Sequence, residues 1–199
     1  MSEPCRAFVL LGHASRFPEK FDRRIEGVRI VDRVCARLSD ADFEPALVSV
    51  RPRPDSDVPV LLDRYDRGPL GAVRTITEAR AGPFLLVGGD MPFLSVADLR
   101  GLRERYRPGT SVVPRWADGA LEVLHAVYDI TPPRAARAWE RGASLRDLAR
   151  SEPGALFPAA EEFDPYTFID IDTPADWERW RDGPRRAGST DAGTRPARR

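Results

Sequence analysis

Phe84-Leu-Leu-Val-Gly-Gly-Asp90-Met-Pro-Phe-Leu94 is the stretch that decides the fold. Four apolar residues, Phe84 to Val87, follow a Gly-Pro break and stop at a glycine pair. A short apolar run bounded by turn residues reads as a strand buried on both faces, the pattern of a central strand in an α/β sheet. Open α/β sheets bind ligands just beyond the carboxyl ends of their strands, so Asp90 stands where a ligand or a metal would be. Gly88 and Gly89 would leave room there for phosphate or backbone to approach closely. An Asp two residues before a Pro is also ordinary turn material, and the rest of the chain weighs between the two readings.

Working outward, Ala7 to Leu11 reads as a buried first strand, and Gly12 to Phe21 as a polar loop. Ile30, Val31, Val34 and Leu38 recur at helical spacing and predict a helix over 29–38. Ala46 to Val50 predicts a strand, followed by a Pro-rich loop and a short strand, Val58 to Leu62, ending in Asp63. Gly68-Pro69 opens a helix with Leu70, Val73, Ile76 and Ala79 on one face. Beyond Asp90, Ser95 and Asp98 cap a helix running to about Tyr106. Strands alternating with helices imply βαβ units, an α/β class and a mostly parallel sheet.

After Tyr106 the texture changes. Ser111 to Pro114 and Glu122 to Tyr128 read as strands of an antiparallel excursion joined through Trp116 to Gly119. Two helices follow, over 134–140 and 144–150. Tyr166 to Asp172 is expected as a last strand, with Asp170 and Asp172 on one face. Thr173, Pro174 and Asp176 then start a helix ending near Arg181. One domain is expected over 1–182, and a disordered Arg-rich tail over 183–199.

The 199 residues carry 31 basic and 31 acidic side chains, so net charge makes no case for nucleic acid or a membrane surface. No apolar run is long enough to span a bilayer, and the first residues lack a secretory pattern, which points to the cytoplasm. Cys5 and Cys35 form neither a disulfide framework nor a metal knuckle. Lys20 is the only lysine in an arginine-rich chain, and it falls in the polar loop after the first strand. A compact ammonium on a flexible stem suits phosphate better than a rigid guanidinium fork does.

Three acidic strand ends emerge: Asp63, Asp90 and the pair Asp170/Asp172. Mg²⁺ takes one or two carboxylates together with phosphate oxygens and water, so two of these converging would serve a nucleotide site. Gly12-His-Ala-Ser-Arg16-Phe-Pro-Glu-Lys20 can offer backbone N–H groups, a hydroxyl and two cations to phosphates. It is neither a P-loop nor a dinucleotide fingerprint, since both glycine patterns are absent.

With these motifs in their order and spacing, the chain resembles the molybdenum cofactor guanylyltransferases, over about residues 6 to 180. Leu10-Leu-Gly-His-Ala-Ser-Arg-Phe-Pro-Glu-Lys20 is similar to that family's Leu-Ala-Gly-Gly-x-Ser-x-Arg-x-Gly-x-x-Lys loop. Asp63 with Gly68-Pro-Leu-Gly-Ala72 resembles its Asp followed by Gly-Pro-Leu-x-Gly. Gly89-Asp-Met-Pro-Phe-Leu94, Leu124-His-Ala-Val-Tyr128 and Phe168-Ile-Asp-Ile-Asp-Thr-Pro-Ala-Asp176 resemble three further segments.

The resemblance implies a Rossmann-like three-layer α/β/α nucleotidyltransferase of the nucleotide-diphospho-sugar transferase type. It implies Mg²⁺ as cofactor, and GTP and molybdopterin or molybdenum cofactor as substrates. Molybdoenzymes or cofactor-delivery proteins are the implied partners. By the same resemblance Leu10, Leu11 and Gly12 would hold the nucleotide through backbone groups, and Lys20 and Arg16 would meet its phosphates. Asp63 would contact the nucleoside, and Asp90 would bind metal and nucleotide with Asp172 or Asp170 as second anchor. His125 reads as packing or substrate positioning, and the four tryptophans as packing.

This sequence departs from the family pattern at three places. His13 and Pro18 stand where the loop has glycines, the loop is about two residues shorter, and the last two family asparagines are Asp170 and Asp172. Three readings follow: guanylyl transfer to molybdopterin, a related transfer using CTP or another phosphorylated acceptor, or a binding protein with weakened catalysis.

Overall fold

The computed structural model describes residues 6–13 and 17–184. Its main sheet has five strands in the order β5-β4-β1-β6-β7. They are β1 (Arg6–Leu11), β4 (Glu44–Ser49), β5 (Val60–Leu62), β6 (Phe84–Gly88) and β7 (His125–Tyr128). β1 pairs in parallel with both β4 and β6, and β5 pairs in parallel with β4. Only β7 runs antiparallel, on β6. The fold is the mostly parallel α/β sheet expected, with its antiparallel excursion at one edge.

Alternation along β1 divides the core between the two faces of the sheet. Ala7, Val9 and Leu11 face α1 (Ile30–Asp40) and α3 (Val96–Arg105), whose Val34, Leu38, Leu99 and Leu102 are fully buried. Phe8 and Leu10 face α2 (Gly68–Ala79), α4 (Pro132–Glu140) and α5 (Leu145–Arg150) on the other side. Phe84 to Val87 of β6 are each at most 1% exposed. Burying such side chains contributes about 1.5–3 kcal/mol apiece, which is why this run could be read as a central strand without any alternation.

The helix signals hold at the level of atoms. Ser95 accepts from the Asp98 N–H, and Ser144 and Asp147 form a capping box on α5. Thr173 and Asp176 form another on α6 (Pro174–Trp180). Of the tail expected over 183–199, Gly183 is buried and its N–H donates to the Trp180 carbonyl at 2.9 Å, while 185–199 lie outside the described residues.

Three expectations need correction. Tyr166 to Asp172 is not a strand: Pro165–Phe168 forms a 3-10 turn, started by the Asp164 side chain accepting from the Tyr166 N–H. The segment then touches the sheet region through a backbone bond from Ile171 N–H to the Asp90 carbonyl, 2.9 Å. Pro165 supplies the fixed φ that favours this turn over a ladder. Ser111 to Pro114 contributes isolated bridges, Val112 to Val127 among them, instead of a continuous strand, and 122–124 lie outside β7. A two-stranded ribbon, β2 (Arg24–Ile25) and β3 (Val28–Arg29), stands outside the expected elements and turns at Glu26-Gly27. Both turn residues have positive φ, 50° and 80°, as a tight hairpin turn demands.

Candidate functional site

The carboxyl ends of β1 and β6 meet at a bridge between two loops. Past Leu10 and Gly88, which lie opposite each other in register, the Gly89 N–H donates to the Leu10 carbonyl at 3.0 Å. A Cβ on Gly89 would stand 2.4 Å from Leu11 Cδ2 and 3.1 Å from the Leu10 carbonyl oxygen. A Cβ on Gly88 would stand 2.6 Å from Asp90 Oδ1. The glycine pair thus makes room for the neighbouring strand and for the Asp90 carboxylate itself. Met91 and Leu94 bury on the α1/α3 side of the sheet, and Phe93 packs with Ile169 and Ile171, so the Asp90 loop is pinned from two directions.

Lys20 is delivered by a turn. The Lys20 N–H donates to the Phe17 carbonyl at 3.2 Å, with Pro18 and Glu19 between and Glu19 left-handed at φ 60°, ψ 15°. That is a type II turn with proline at its second position, so Pro18 does structural work where the family pattern has glycine. Phe17 and Phe21 anchor the turn in separate apolar clusters and carry Lys20 inward, to 7% exposure.

There the ammonium meets two carboxylates. Lys20 Nζ donates to Asp90 Oδ2 at 2.5 Å and to Asp172 Oδ1 at 2.7 Å. Burial alone would lower the Lys20 pKa, but the charges and hydrogen bonds of Asp90 and Asp172 outweigh it and hold the group above its ordinary value. Lys20 is therefore a permanent cation at neutral pH, shared between two acids from distant parts of the chain.

The predicted residues separate in space. Lys20, Asp90 and Asp172 converge, with Leu10 and Leu11 forming the adjoining strand end and Gly12 exposed beside it, a Cβ there meeting nothing within 4 Å. Asp63 lies past β5, at the far edge of the sheet, where its Oδ1 accepts from the Tyr65 N–H at 3.0 Å and the Thr75 hydroxyl at 2.7 Å. Asp172, not Asp170, carries the bond to Lys20. Arg16 lies outside the described residues.

Two pairings had no signal in the sequence. His13 Nε2 contacts Asp66 Oδ1, joining the loop after β1 to the loop before α2. Since β4 lies between β1 and β5, this contact spans the carboxyl end of β4. Glu122, 3% exposed, accepts from Trp116 Nε1 at 2.5 Å beside the start of β7. The first joins segments 53 residues apart, and the second closes a loop of six residues.

His125 is packing. It is fully buried, edge-on to Phe168 and Phe163, with neither ring nitrogen hydrogen-bonded among the described residues. Burial pushes its pKa down to about 3. The tryptophans pack likewise, Trp116 on Phe168, Trp139 on Tyr65, Trp180 on Phe93, and Trp177 in the cluster of Phe17 and Ile171.

Two carboxylate oxygens converging on one cationic atom form a donor set that fits a hard divalent ion. Among the described residues no group of three or more His, Cys, Asp or Glu could hold a metal. An ion bound to Asp90 and Asp172 would therefore complete its coordination with phosphate and water. No helix among the described residues is long and apolar enough to cross a membrane.

The sheet order is that of the nucleotide-diphospho-sugar transferase fold. The chain matches the family described as MobA-like NTP transferase domain over residues 9–156. It is 31% identical to the probable molybdenum cofactor guanylyltransferase of Methanosarcina mazei over 168 residues, 79% of this chain and 75% of that one. The protein of the same name in Thermococcus kodakarensis is 30% identical over 126 residues, 59% of this chain and 62% of its own. Molybdopterin-guanine dinucleotide biosynthesis protein A of Archaeoglobus fulgidus superimposes with a TM-score of 0.72 at 20% identity, covering 87% of this chain and 95% of that one. A Mycobacterium tuberculosis protein crystallised with manganese gives 0.61 at 18% identity, covering 88% and 97%. The chain belongs to the MobA-like NTP transferase family.

Proposed function

We propose that this protein transfers GMP from GTP to molybdopterin. An oxygen of the acceptor's terminal phosphate attacks the α-phosphorus of GTP, the bond from that phosphorus to the bridging oxygen breaks, and pyrophosphate leaves. The observation that carries the reading is the Lys20 ammonium held between Asp90 and Asp172 where the loops of β1 and β6 meet. The guanylyltransferase relatives supply nucleotide and acceptor.

In this reading Lys20, with Arg16, draws charge from the departing phosphates. Asp90 and Asp172, with Asp170 two residues before Asp172, would hold Mg²⁺, which supplies charge neutralisation at the phosphates when bound. Leu10, Leu11 and Gly12 line the triphosphate side of the site. Asp63 shapes the loop on the nucleoside side through Tyr65 and Thr75. Catalysis rests on in-line positioning and charge, with no covalent enzyme intermediate.

Pyrophosphate release measured with each of the four nucleoside triphosphates, with and without molybdopterin, tests this. GTP-selective, molybdopterin-dependent release is expected. Selective release with CTP would move the reading to cytidylyl transfer, and no release with any triphosphate would overturn it.

A further inference from the structure

The Lys20 ammonium stands at the point on which Asp90 and Asp172 converge, 2.5 Å from one and 2.7 Å from the other. If those carboxylates anchor the metal, as the proposed function has it, lysine and metal compete for the same oxygens. We propose that Lys20 is the resident cation of this site in the nucleotide-free protein, and that a divalent ion enters only with a nucleoside triphosphate, whose phosphates receive the displaced ammonium.

The energetics favour exchange over sharing. The Lys20 side chain is 9% exposed and that of Asp90 18%, so neither charge is well served by water. Two carboxylates this close repel unless a cation lies between them, and Lys20 supplies one. A divalent ion arriving alone would take both carboxylates from the ammonium and would leave two cations adjacent. Leaving a buried charge unpaired is costly. A triphosphate removes that obstacle by offering new anionic partners, so metal and nucleotide should bind with strong mutual reinforcement, reciprocal by linkage.

The sequence makes the exchange observable, because Lys20 is the only lysine among 199 residues. Selective ¹³C-lysine labelling of the unmodified protein therefore yields a single side-chain ε-CH₂ signal. Its position should be unmoved by millimolar Mg²⁺ alone and should shift when GTP is added with Mg²⁺. In parallel, Mn²⁺ binding followed by electron paramagnetic resonance should be weak without nucleotide and tighten by at least about tenfold with GTP. In Lys20→Met, and in Lys20→Gln as a second variant, nucleotide-free Mn²⁺ binding should tighten by about tenfold or more, because both acids are released to the metal.

A lysine signal that shifts with Mg²⁺ alone, or Mn²⁺ affinity equal with and without GTP, would overturn the exchange while leaving the transfer reading intact. Mn²⁺ binding in neither condition, with no pyrophosphate release, would overturn the transfer reading and the exchange with it. If both variants fail to fold, the lysine signal of the unmodified protein decides.

Discussion

Lys20 Nζ lies 2.5 Å from Asp90 Oδ2, a pair 70 residues apart in the chain and joined where β1 and β6 end side by side. Parallel pairing of the two strands brings their following loops to the same end of the sheet, and the turn at Pro18 aims the lysine back over it. The bridge is thus a product of topology, and its removal should separate chemistry from folding.

Asp90→Asn keeps a carbonyl oxygen for Lys20 and removes the charge. Nucleotidyl transfer is expected to fall by about 10²–10³-fold or more. The folded state should lose no more than about 1–2 kcal/mol, since Asp172 still pairs with Lys20. Steady-state pyrophosphate release and urea denaturation, run side by side, check both. Undiminished transfer would remove Asp90 from the chemistry.

Lys20→Arg preserves charge and replaces a point donor with a planar fork. The cavity between Asp90 and Asp172 accepts one nitrogen at 2.5 and 2.7 Å, so the wider group must shift one acid or leave the site. Transfer should drop at least about tenfold. Equal turnover would show that charge alone matters.

Gly88→Ala and Gly89→Ala should differ in kind. At Gly89 the added methyl meets Leu11 and the Leu10 carbonyl, so the strand junction must open, at a cost of about 1–3 kcal/mol. At Gly88 it meets Asp90 Oδ1 and Met91, so the acid itself is displaced. The expected pattern is a lowered melting temperature foremost in Gly89→Ala, and lost transfer at milder destabilisation in Gly88→Ala. The reverse ranking would contradict the geometry.

His125 should impose a pH dependence on stability. Its folded pKa of about 3 lies below the ordinary 6.5 because burial disfavours the imidazolium. Below about pH 6.5 the unfolded chain binds a proton that the folded chain refuses. Stability from this group is therefore complete above pH 6.5 and declines as pH falls toward 3, by about 1.4 kcal/mol per unit. Urea denaturation of the wild type and His125→Leu at pH 7, 6 and 5 measures the difference in slope, which should vanish in the variant. Parallel slopes would mean the imidazole is protonated in place.

Much of the site was legible because its parts sit at strand ends marked by local chemistry. Asp90 follows a run too apolar to be anything but interior, and Lys20 is conspicuous as the chain's one lysine. The last strand was misread because alternation in Tyr-Thr-Phe-Ile-Asp-Ile-Asp looks the same whether the apolar positions face a sheet or fill a gap between layers. In the structure Phe168 packs on Trp116 and His125, while Ile169 and Ile171 join Phe17 and Phe93. The aspartates were ambiguous for the same reason, and the direction of each could be told only once that segment was folded.

By itself the sequence determined the class of the fold, the order of the main-sheet strands and their helices up to α3, and the strand-end position of Asp90, because burial and capping act over a few neighbouring residues. Only the tertiary structure decided that Asp172 shares Lys20 with Asp90, that Asp63 is drawn to Tyr65 and Thr75 at the far edge of the sheet, and that His13 meets Asp66. Those pairings join segments up to 152 residues apart. Strand order, crossover and the angle of each loop set them, and none of these is written in local periodicity.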